Sequence, residues 1–295
     1  MFVIFGATGN VGRTAATALR HAGHAVRAVV RNAAQREALE RLGCEVVLGD
    51  LTDEASVTRA LVGARGVQML CPVPHHDPDP AGTMRRTIDV AARALREHPD
   101  VHVVALSDYG AELDTGTGIT MLFHYLETVF REAVPRLTLL RSAEHMQNWA
   151  RVLPAALATG VLPSLHHPVD RAFASVSAHD VGMLSAQLQI DGHAGDAVRV
   201  VSVEGPRRHD ANGVASALSE VAGRTIVARA LPRSDWTATL LRAGLNANHA
   251  QLIVDLYDAQ NAGRIDVEAG ASERRYGRTE LRDVFAALVS ATGAS

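Results

Sequence analysis

The stretch that decides the fold is MFVIFGATGNVGRT, residues 1–14. Its apolar, β-prone run Phe2–Phe5 leads directly into three glycines at three-residue spacing, the first of which is Gly6. The segment Arg13–Arg20 then has the residue pattern of a helix. Because a strand, a glycine turn and a helix follow in that order, the stretch predicts the first β-α unit of a nucleotide-binding domain.

Composition narrows the class of protein. The 295-residue chain is 47% hydrophobic and 21% charged, with a formal net charge of -3. We find no run of the roughly 18 apolar residues that a membrane span needs, and no basic lead-in of a secretion signal. The charge balance disfavours a broad nucleic-acid-binding surface. We expect a cytoplasmic protein, monomeric or homodimeric, that acts on a small molecule and has no membrane or nucleic acid as its primary partner.

Lysine is absent, so all 29 positions counted as lysine or arginine are arginine. This composition excludes Schiff-base chemistry and the tyrosine-lysine pair of ordinary short-chain dehydrogenases. The two cysteines, Cys44 and Cys71, indicate neither a disulfide framework nor a zinc site.

Short apolar runs alternate with amphipathic helical segments through the first half of the chain. This alternation predicts an α/β fold, a Rossmann-type doubly wound parallel sheet covered by helices on both faces. The predicted helices include 36–42, 56–62 and 84–96. The predicted strands are Phe2–Phe5, Ala25–Val30, Glu45–Leu48, Gly66–Cys71, Val101–Leu106 and Leu137–Leu140.

After Arg141 the regular alternation ends and prolines and glycines mark loops between short elements. We predict a dinucleotide-binding domain over residues 1–150 and a smaller α/β substrate lobe over residues 151–295. Within the second part, residues 172–204 are expected to return to the main sheet. Thr225–Arg229 is a predicted strand, and Thr279 is the predicted N-cap of a closing helix.

The glycine turn predicts a phosphate site, because a helix N-terminus offers unpaired N–H groups and the positive end of a dipole. The spacing G-x-x-G-x-x-G fits the usual dinucleotide fingerprint only loosely. Its place after the first strand is what favours a cofactor over an ordinary turn. The predicted contacts are Gly6, Thr8, Gly9, Asn10, Val11, Gly12 and Arg13.

The end of the second strand predicts which dinucleotide binds. An acidic residue there would favour NAD, but the strand ends with Arg31, whose guanidinium can hold a 2′-phosphate. NADP(H) is therefore expected, although Arg31 could also be a solvated strand-end charge. Asp50 and Leu51 follow the third strand, where they could contact adenine or, for Asp50, cap the next helix. Further predicted cofactor contacts at strand ends are Cys71, Pro72 and Ser107.

The sequence resembles the NmrA-like family of atypical short-chain dehydrogenases over nearly its whole length. The resemblance lies in GATGNVGR, GDLTDEASVTRALVGARGV, ALSDYGA, FHYLETVFREAVPRLTLLRSAEHMQNW and VEGPRRHDANGVASAL, in that order. It implies a Rossmann fold and either an NADPH-dependent quinone or enone reductase or a cofactor-sensing regulator. Where the family commonly has proline and aromatic residues, this chain has Ser142, Glu144 and His145.

Several residues are candidates for catalysis. The resemblance implies a histidine or lysine near His124, which either orients the nicotinamide ribose and relays a proton or packs on the sheet against Glu127. Ser107 and Tyr109 follow the fifth strand and either bind substrate or cap a loop. The remaining candidates are Tyr125, which lacks an activating lysine, and His145.

The loop PVPHHDPDP contains His75 and His76. No third ligand is suitably spaced, so we predict no metal site there and interpret the proline-rich loop as a lid or a surface loop.

Three functions remain open on the sequence. The first is an NADPH-dependent reductase that transfers hydride to a small electrophilic acceptor such as a quinone or enone. The second is a redox-sensing regulator that binds NADP(H) without turnover. The third is a non-redox isomerase or dehydratase in which Glu144 and His145 act as an acid-base pair.

Overall fold

The computed structural model describes residues 1–74, 77–193, 195 and 198–293. Short 3-10 helices span Ala33–Gln35, Met146–Arg151 and Arg233–Asp235. The strands are β1 (Phe2–Phe5), β2 (Val26–Val30), β3 (Glu45–Leu48), β4 (Gly66–Met69), β5 (His102–Asp108), β6 (Leu137–Ser142), β7 (Glu144–His145), β8 (Val161–Ser164), β9 (Ser175–Val176), β10 (Arg199–Glu204), β11 (Val227–Ala230) and β12 (Glu273–Tyr276). The α-helices are α1 (Asn10–His21), α2 (Arg36–Arg41), α3 (Glu54–Leu61), α4 (Pro80–Arg96), α5 (Thr120–Ala133), α6 (Leu153–Thr159), α7 (Ala178–Asp191), α8 (Ala211–Ala222), α9 (Trp236–Arg242), α10 (Ala247–Asn261) and α11 (Leu281–Gly293).

The main sheet has eight parallel strands in the order β12-β10-β6-β5-β4-β1-β2-β3. The strand order reverses between β1 and β4, and in open α/β sheets the ligand crevice lies at such a switch point, at the carboxyl ends of the strands. The predicted Rossmann-type α/β class is therefore confirmed.

Both faces of the sheet are buried, as a parallel sheet requires. On one face, α3, α4 and α5 pack their apolar sides on the strands, with Ile88 and Phe130 fully buried. On the other face, α1 and α7 cover the strands through residues such as Leu19 and Val181. No helix of the described residues is both long and apolar enough to cross a membrane. Cys44 and Cys71 are free and buried.

Two of the predicted strands are longer in the structure than the apolar pattern indicates. β5 continues from Leu106 through Ser107 to Asp108, and β6 continues to Ser142. The register pairs Ser107 with Arg141 and Asp108 with Ser142. Backbone pairing thus carries polar residues to the carboxyl edge of the sheet, where hydrophobic periodicity cannot reveal them.

The second half of the chain contributes two strands to the main sheet. β10 lies beside β6, within the segment expected to return there, and the polar strand β12 lies at the sheet edge beside β10. No apolar pattern indicates β12, since Glu273–Tyr276 is exposed throughout. The domain boundary at residue 150 stays a prediction.

The remaining elements form a smaller apolar core that includes Trp149, Leu218 and Phe285. A pair of helices, α9 and α10, packs beside it around Trp236. The predicted cap of the last helix is wrong: the Thr279 hydroxyl donates instead to Asp180 Oδ1 at 2.9 Å, and α11 begins only at Leu281.

Candidate active site

The glycine turn brings strand β1 and helix α1 into backbone contact. Gly6 has a φ of +76°, a conformation that side chains with a Cβ rarely adopt. The Gly9 amide donates to the Gly6 carbonyl oxygen at 3.0 Å. A Cβ on Gly12 would lie 2.2 Å from that same oxygen, whereas one on Gly9 would lie 3.5 Å away. Gly6 and Gly12 are therefore required by the tight turn itself.

The N-terminus of α1 offers an anion site. The Arg13 amide bonds to the Gly9 carbonyl at 2.9 Å as the helix begins, so the amides before it have no intrahelical partner. Gly9, at the N-cap position, has no side chain that could cover them. Asn10, Val11 and Gly12 line the main cavity described below. These features fit the diphosphate of a dinucleotide.

The other end of the dinucleotide site lies at the ends of β2 and β3. Arg13 and Arg31 are exposed, and neither forms an ion pair within the described part of the chain. Asp50 is exposed and accepts a hydrogen bond from the Thr52 amide at 2.8 Å, so it does not cap the next helix. That cap is Asp53, which accepts from the Ala55 amide.

Other predicted contacts differ in what they can offer. Thr8 is exposed beside the turn, and Leu51 is half-buried against the core. Cys71 is fully buried, and burial raises the pKa of its thiol to about 12, so its side chain faces the core. Pro72 is exposed. Beyond β4, the residue that lines the main cavity is Leu70, which the sequence analysis missed.

A cavity of about 450 Å³, called here the main cavity, runs from the glycine turn into the space under α9 and α10. Its wall near the turn carries Ser107, Asp108, Ser142, Glu144 and His145. Its far wall is mostly apolar and includes Phe123, Trp149, Leu165, Leu231, Leu240 and Leu245. Polar groups thus cluster at the end nearest the turn, while the rest suits an apolar ligand.

Ser107 is held in place by a buried ion pair. Its hydroxyl donates to Glu127 Oε1 at 2.7 Å. Arg141 Nε donates to the same Oε1, and Arg141 Nη2 donates to Oε2, each at 2.7 Å. The remaining guanidinium nitrogen of Arg141, Nη1, contacts Glu112 and Glu268. This network fixes the direction of the Ser107 hydroxyl, and α5 contributes only Phe123 to the main cavity.

Asp108 is a site residue that the sequence analysis missed. It is the last residue of β5, lines the main cavity, and accepts a hydrogen bond from the Thr120 hydroxyl at 3.2 Å. Burial raises the pKa of Asp108 to about 7, with the charges of Glu144 and Glu112 adding to the effect of burial and the hydrogen bonds opposing it. The motif SDY contained the signal, because its polar residues follow an apolar strand.

Glu144 lies at the centre of a second polar cluster. Its Oε2 is 3.0 Å from His166 Nε2, and its Oε1 accepts from the Tyr257 hydroxyl at 2.9 Å. The His166 ring stacks on Phe173 with centroids 3.7 Å apart. Burial raises the pKa of Glu144, but the charge and hydrogen bonds of His166 and Tyr257 outweigh burial, and the net shift is downward. Glu144 is therefore a carboxylate at neutral pH.

His145 lines the same wall. Its Nε2 is 3.3 Å from the Ser142 hydroxyl, and burial lowers its pKa despite the opposing charge of Glu144. The imidazole is consequently neutral near pH 7. Because Glu144 bonds to His166 and Tyr257, the structure gives no hydrogen-bonded Glu144–His145 acid-base pair.

Three predicted catalytic residues lie outside the main cavity. His124 Nδ1 is 2.9 Å from the Ala111 carbonyl oxygen, and Glu127 is bound by Arg141, so neither interpretation of His124 describes its contacts. The Tyr125 hydroxyl donates to Asp89 on α4 at 2.7 Å. Tyr109 is buried, and burial raises its pKa. The positions of His124 and Tyr125 follow from α5 turning Phe123, rather than its neighbours, toward the cavity.

A second cavity of about 230 Å³ lies behind the polar wall. It shares Asp108 and Glu144 with the main cavity and is also lined by Tyr109, Arg171, Arg208 and Asp266. The described residues include no group of three or more histidine, cysteine, aspartate or glutamate side chains placed to hold a metal ion. His75 and His76 lie outside the described residues.

The fold and site together define a Rossmann-type protein that binds a nicotinamide dinucleotide. The NAD(P)H-binding family model matches residues 6–161, more than half of the chain. The chain belongs to this family, in agreement with its resemblance to the NmrA-like atypical short-chain dehydrogenases. A nicotinamide dinucleotide as the cofactor is thereby confirmed.

Known proteins similar to this chain include reductases and an oxidoreductase. A (4-alkanoyl-5-oxo-2,5-dihydrofuran-3-yl)methyl phosphate reductase from Streptomyces griseus is 32% identical over 228 residues, covering 77% of this chain and 75% of the relative. Quinone oxidoreductase 2 from Escherichia coli is 26% identical over 267 residues, or 86% of each chain. The structure of Citrobacter sp. triphenylmethane reductase complexed with NADP(H) is 20% identical, with a TM-score of 0.79 over 98% of this chain and 100% of that one. The last likeness concerns the fold.

Proposed function

We propose that this protein is an NADPH-dependent reductase that transfers hydride to a small electrophilic acceptor such as a quinone or enone. The observation that carries the proposal is the continuity of the main cavity, which joins the glycine turn to an apolar space of substrate size. A protein that only sensed its cofactor would not need this apolar space for a substrate. The curated relatives named as reductases support the same conclusion.

NADPH is the proposed form of the cofactor because of the charges at the end of β2. Arg31 is exposed there and forms no ion pair with another described residue, and Arg13 lies just past the glycine turn. No acidic side chain occurs between Arg31 and Glu37 to bind a ribose diol. A guanidinium matches the geometry of a 2′-phosphate with two hydrogen bonds.

The residues present fit reduction without a tyrosine-lysine pair, which a chain lacking lysine cannot form. When bound, the dinucleotide supplies the hydride. The apolar wall of the main cavity positions the acceptor and excludes water, and positioning alone contributes a large share of the rate in such reactions. The Ser142 hydroxyl and the neutral imidazole of His145 are the groups placed to orient an acceptor oxygen, since the Ser107 hydroxyl already donates to Glu127. Cytoplasmic location and a monomeric or homodimeric state stay predictions.

The test is cofactor oxidation in the presence of a panel of acceptors. NADPH and NADH are titrated by fluorescence, and the absorbance of the reduced cofactor is then followed with quinones and enones. Acceptor-dependent oxidation of NADPH is the expected result, and a Gly12→Val variant, whose side chain fills the turn, serves as the inactive control. Tight binding without turnover on any acceptor favours the redox-sensing regulator instead, and absence of binding contradicts both.

A further inference from the structure

Two carboxyl groups line the same two cavities at the carboxyl edge of the sheet. Asp108 ends β5 and Glu144 begins the short strand that follows β6. Both line the main cavity and both line the second cavity behind it, so they form part of the partition between the two spaces. The reductase function proposed above needs a proton for each hydride that a carbonyl-conjugated acceptor receives, and this partition is where ionisable groups meet the acceptor space.

The two carboxyl groups have opposite environments. Glu144 receives the Tyr257 hydroxyl and contacts His166, a set of partners that stabilises its ionised form. Asp108 accepts a hydrogen bond from the Thr120 hydroxyl at 3.2 Å and forms no ion pair with another described residue. Carboxyl pairs whose surroundings favour different protonation states are the usual basis for dividing acid and base roles. Burial favours the protonated form of Asp108, so Asp108 is the member of the pair that can donate a proton near pH 7.

We propose that Asp108 is the acid that protonates the reduced acceptor, and that the second cavity is the path by which Asp108 regains a proton from water. This inference rests on the reductase function proposed above. It assigns Asp108 a catalytic role because the residue lies on the cavity wall, in reach of the acceptor, between Ser107 and the residues of the β6 end.

The proposed reaction transfers one hydride and one proton to the acceptor. The acceptor carbon gains hydride from NADPH, which is oxidised, and an enone becomes an enolate. The O–H bond of the Asp108 carboxyl breaks as a new O–H bond forms on the acceptor oxygen, and Asp108 is left as a carboxylate. Water in the second cavity then returns a proton to Asp108, and the hydroxide that remains leaves to solvent.

The charges around Asp108 explain why reprotonation is favourable. Burial above all, and then the charges of Glu144 and Glu112, disfavour a negative charge on Asp108, so the carboxylate formed in the reaction takes up a proton more easily than an ordinary aspartate would. The second cavity has a polar lining that includes Arg171, Arg208 and Asp266, which suits water. The main cavity, in contrast, has a mostly apolar lining.

Comparison of two acceptors tests the role directly. An enone needs a proton after it receives hydride, whereas a triarylmethyl cation becomes neutral with hydride alone. In Asp108→Asn the ratio of enone to cation turnover should fall about 100-fold or more. The matched control is Asp114→Asn, an exposed carboxyl in the loop after β5 that should leave the ratio unchanged. An equal ratio in all three proteins overturns the inference, and failure of the wild type on both acceptors overturns the reductase function itself.

A second measurement does not depend on turnover. Carbon-13 NMR of the cofactor-free protein, labelled at aspartate carboxyl groups, gives the titration of Asp108, whose resonance is assigned by its loss in Asp108→Asn. We expect a midpoint near 7, in keeping with the raised pKa of this group. A midpoint near that of an ordinary aspartate would mean that Asp108 is ionised at neutral pH, which overturns its assignment as the acid. The titration is recorded on the wild-type protein, so a loss of activity in the variant does not affect it.

Discussion

Arg141 and Glu127 form a buried ion pair joined by two parallel hydrogen bonds of 2.7 Å, with both residues no more than 3% exposed. The pair connects β6 to α5, and Glu127 Oε1 also accepts the hydroxyl of Ser107. Desolvation of two charges is costly, and only good geometry and further hydrogen bonds compensate for it. The pair therefore orients a side chain of the candidate active site while adding little net stability of its own.

Breaking this pair should destabilise the protein strongly. Arg141→Met leaves the buried Glu127 carboxylate with only the longer contact, 3.4 Å, to the exposed Arg131. It also removes the contacts to Glu112 and Glu268. We expect the free energy of unfolding to fall by about 3–5 kcal/mol, measured by urea denaturation. Arg207→Met, which removes the exposed ion pair with Glu280, is the control and should cost less than about 1 kcal/mol. Equal effects of the two substitutions would contradict the buried-pair argument.

Much of the fold followed from local patterns. The apolar runs placed β1, β2 and β3 to within one residue, and the glycine turn identified the first β-α unit. These features could be predicted because each depends on neighbouring residues alone. The exposed strand Glu273–Tyr276 could not, because it pairs with β10 through its backbone and buries no side chain that would leave an apolar signal.

The residues of the candidate site were likewise predictable only in part. The glycines and the N-terminus of α1 were predicted because the turn encodes its own geometry. The catalytic candidates on α5 were not, since one helical position decides whether Phe123 or His124 faces the cavity, and only packing sets that rotation. Asp108 and Tyr257 are more than a hundred residues apart in the sequence, yet both lie near Glu144 in the structure. Long-range contacts of this kind leave no mark in the spacing of one sequence.

The second and third glycines of the turn, Gly9 and Gly12, should respond differently to substitution by alanine. A Cβ on Gly12 meets the Gly6 carbonyl oxygen at 2.2 Å, so β1 and α1 must move apart, whereas Gly9 has ordinary contact distance and a φ of -78°. Gly12→Ala should lower the free energy of unfolding by about 1–3 kcal/mol and weaken NADPH binding about tenfold or more. Gly9→Ala should stay within about 1 kcal/mol of the wild type. Thermal or urea unfolding measures the stability, and a fluorescence titration measures NADPH binding. Similar losses of stability in both variants would contradict the steric argument.

Arg31 should determine the choice between the two nicotinamide dinucleotides. Arg31→Ala removes the proposed partner of the 2′-phosphate, so the Kd for NADPH should rise about tenfold to a hundredfold while the Kd for NADH changes little. Arg31→Lys keeps the charge but loses the two-pronged geometry, and its Kd should lie between those of the wild type and the alanine variant. Both are measured by fluorescence titration. An unchanged ratio of the two affinities in Arg31→Ala would show that the arginine is only a solvated charge at the end of β2.

The last prediction concerns how the stability of the protein depends on pH through His102, at the opposite edge of the sheet. His102 is buried at the start of β5, stacks on His193 and bonds through Nε2 to the Thr138 hydroxyl at 2.9 Å. Burial lowers its pKa to about 4, and the charges of His193, Arg136 and Arg199 act in the same direction.

The sign follows from proton uptake. Between about pH 6.5 and about pH 4 the unfolded chain binds a proton at His102 and the folded protein does not, so stability is fully present above this window and is lost as the pH falls through it. The loss should amount to about 3 kcal/mol. It is measured as the change with pH in the unfolding free-energy difference between the wild type and His102→Gln.

Thr138→Val is the matched control for this titration, because it removes the hydrogen bond and keeps the imidazole. It should lower stability by roughly 1 kcal/mol at every pH while leaving the slope of stability against pH as in the wild type. If His102→Gln keeps the wild-type slope, the imidazole must take up its proton in the folded protein as it does in the unfolded chain. The burial of His102 would then have no effect on acid stability.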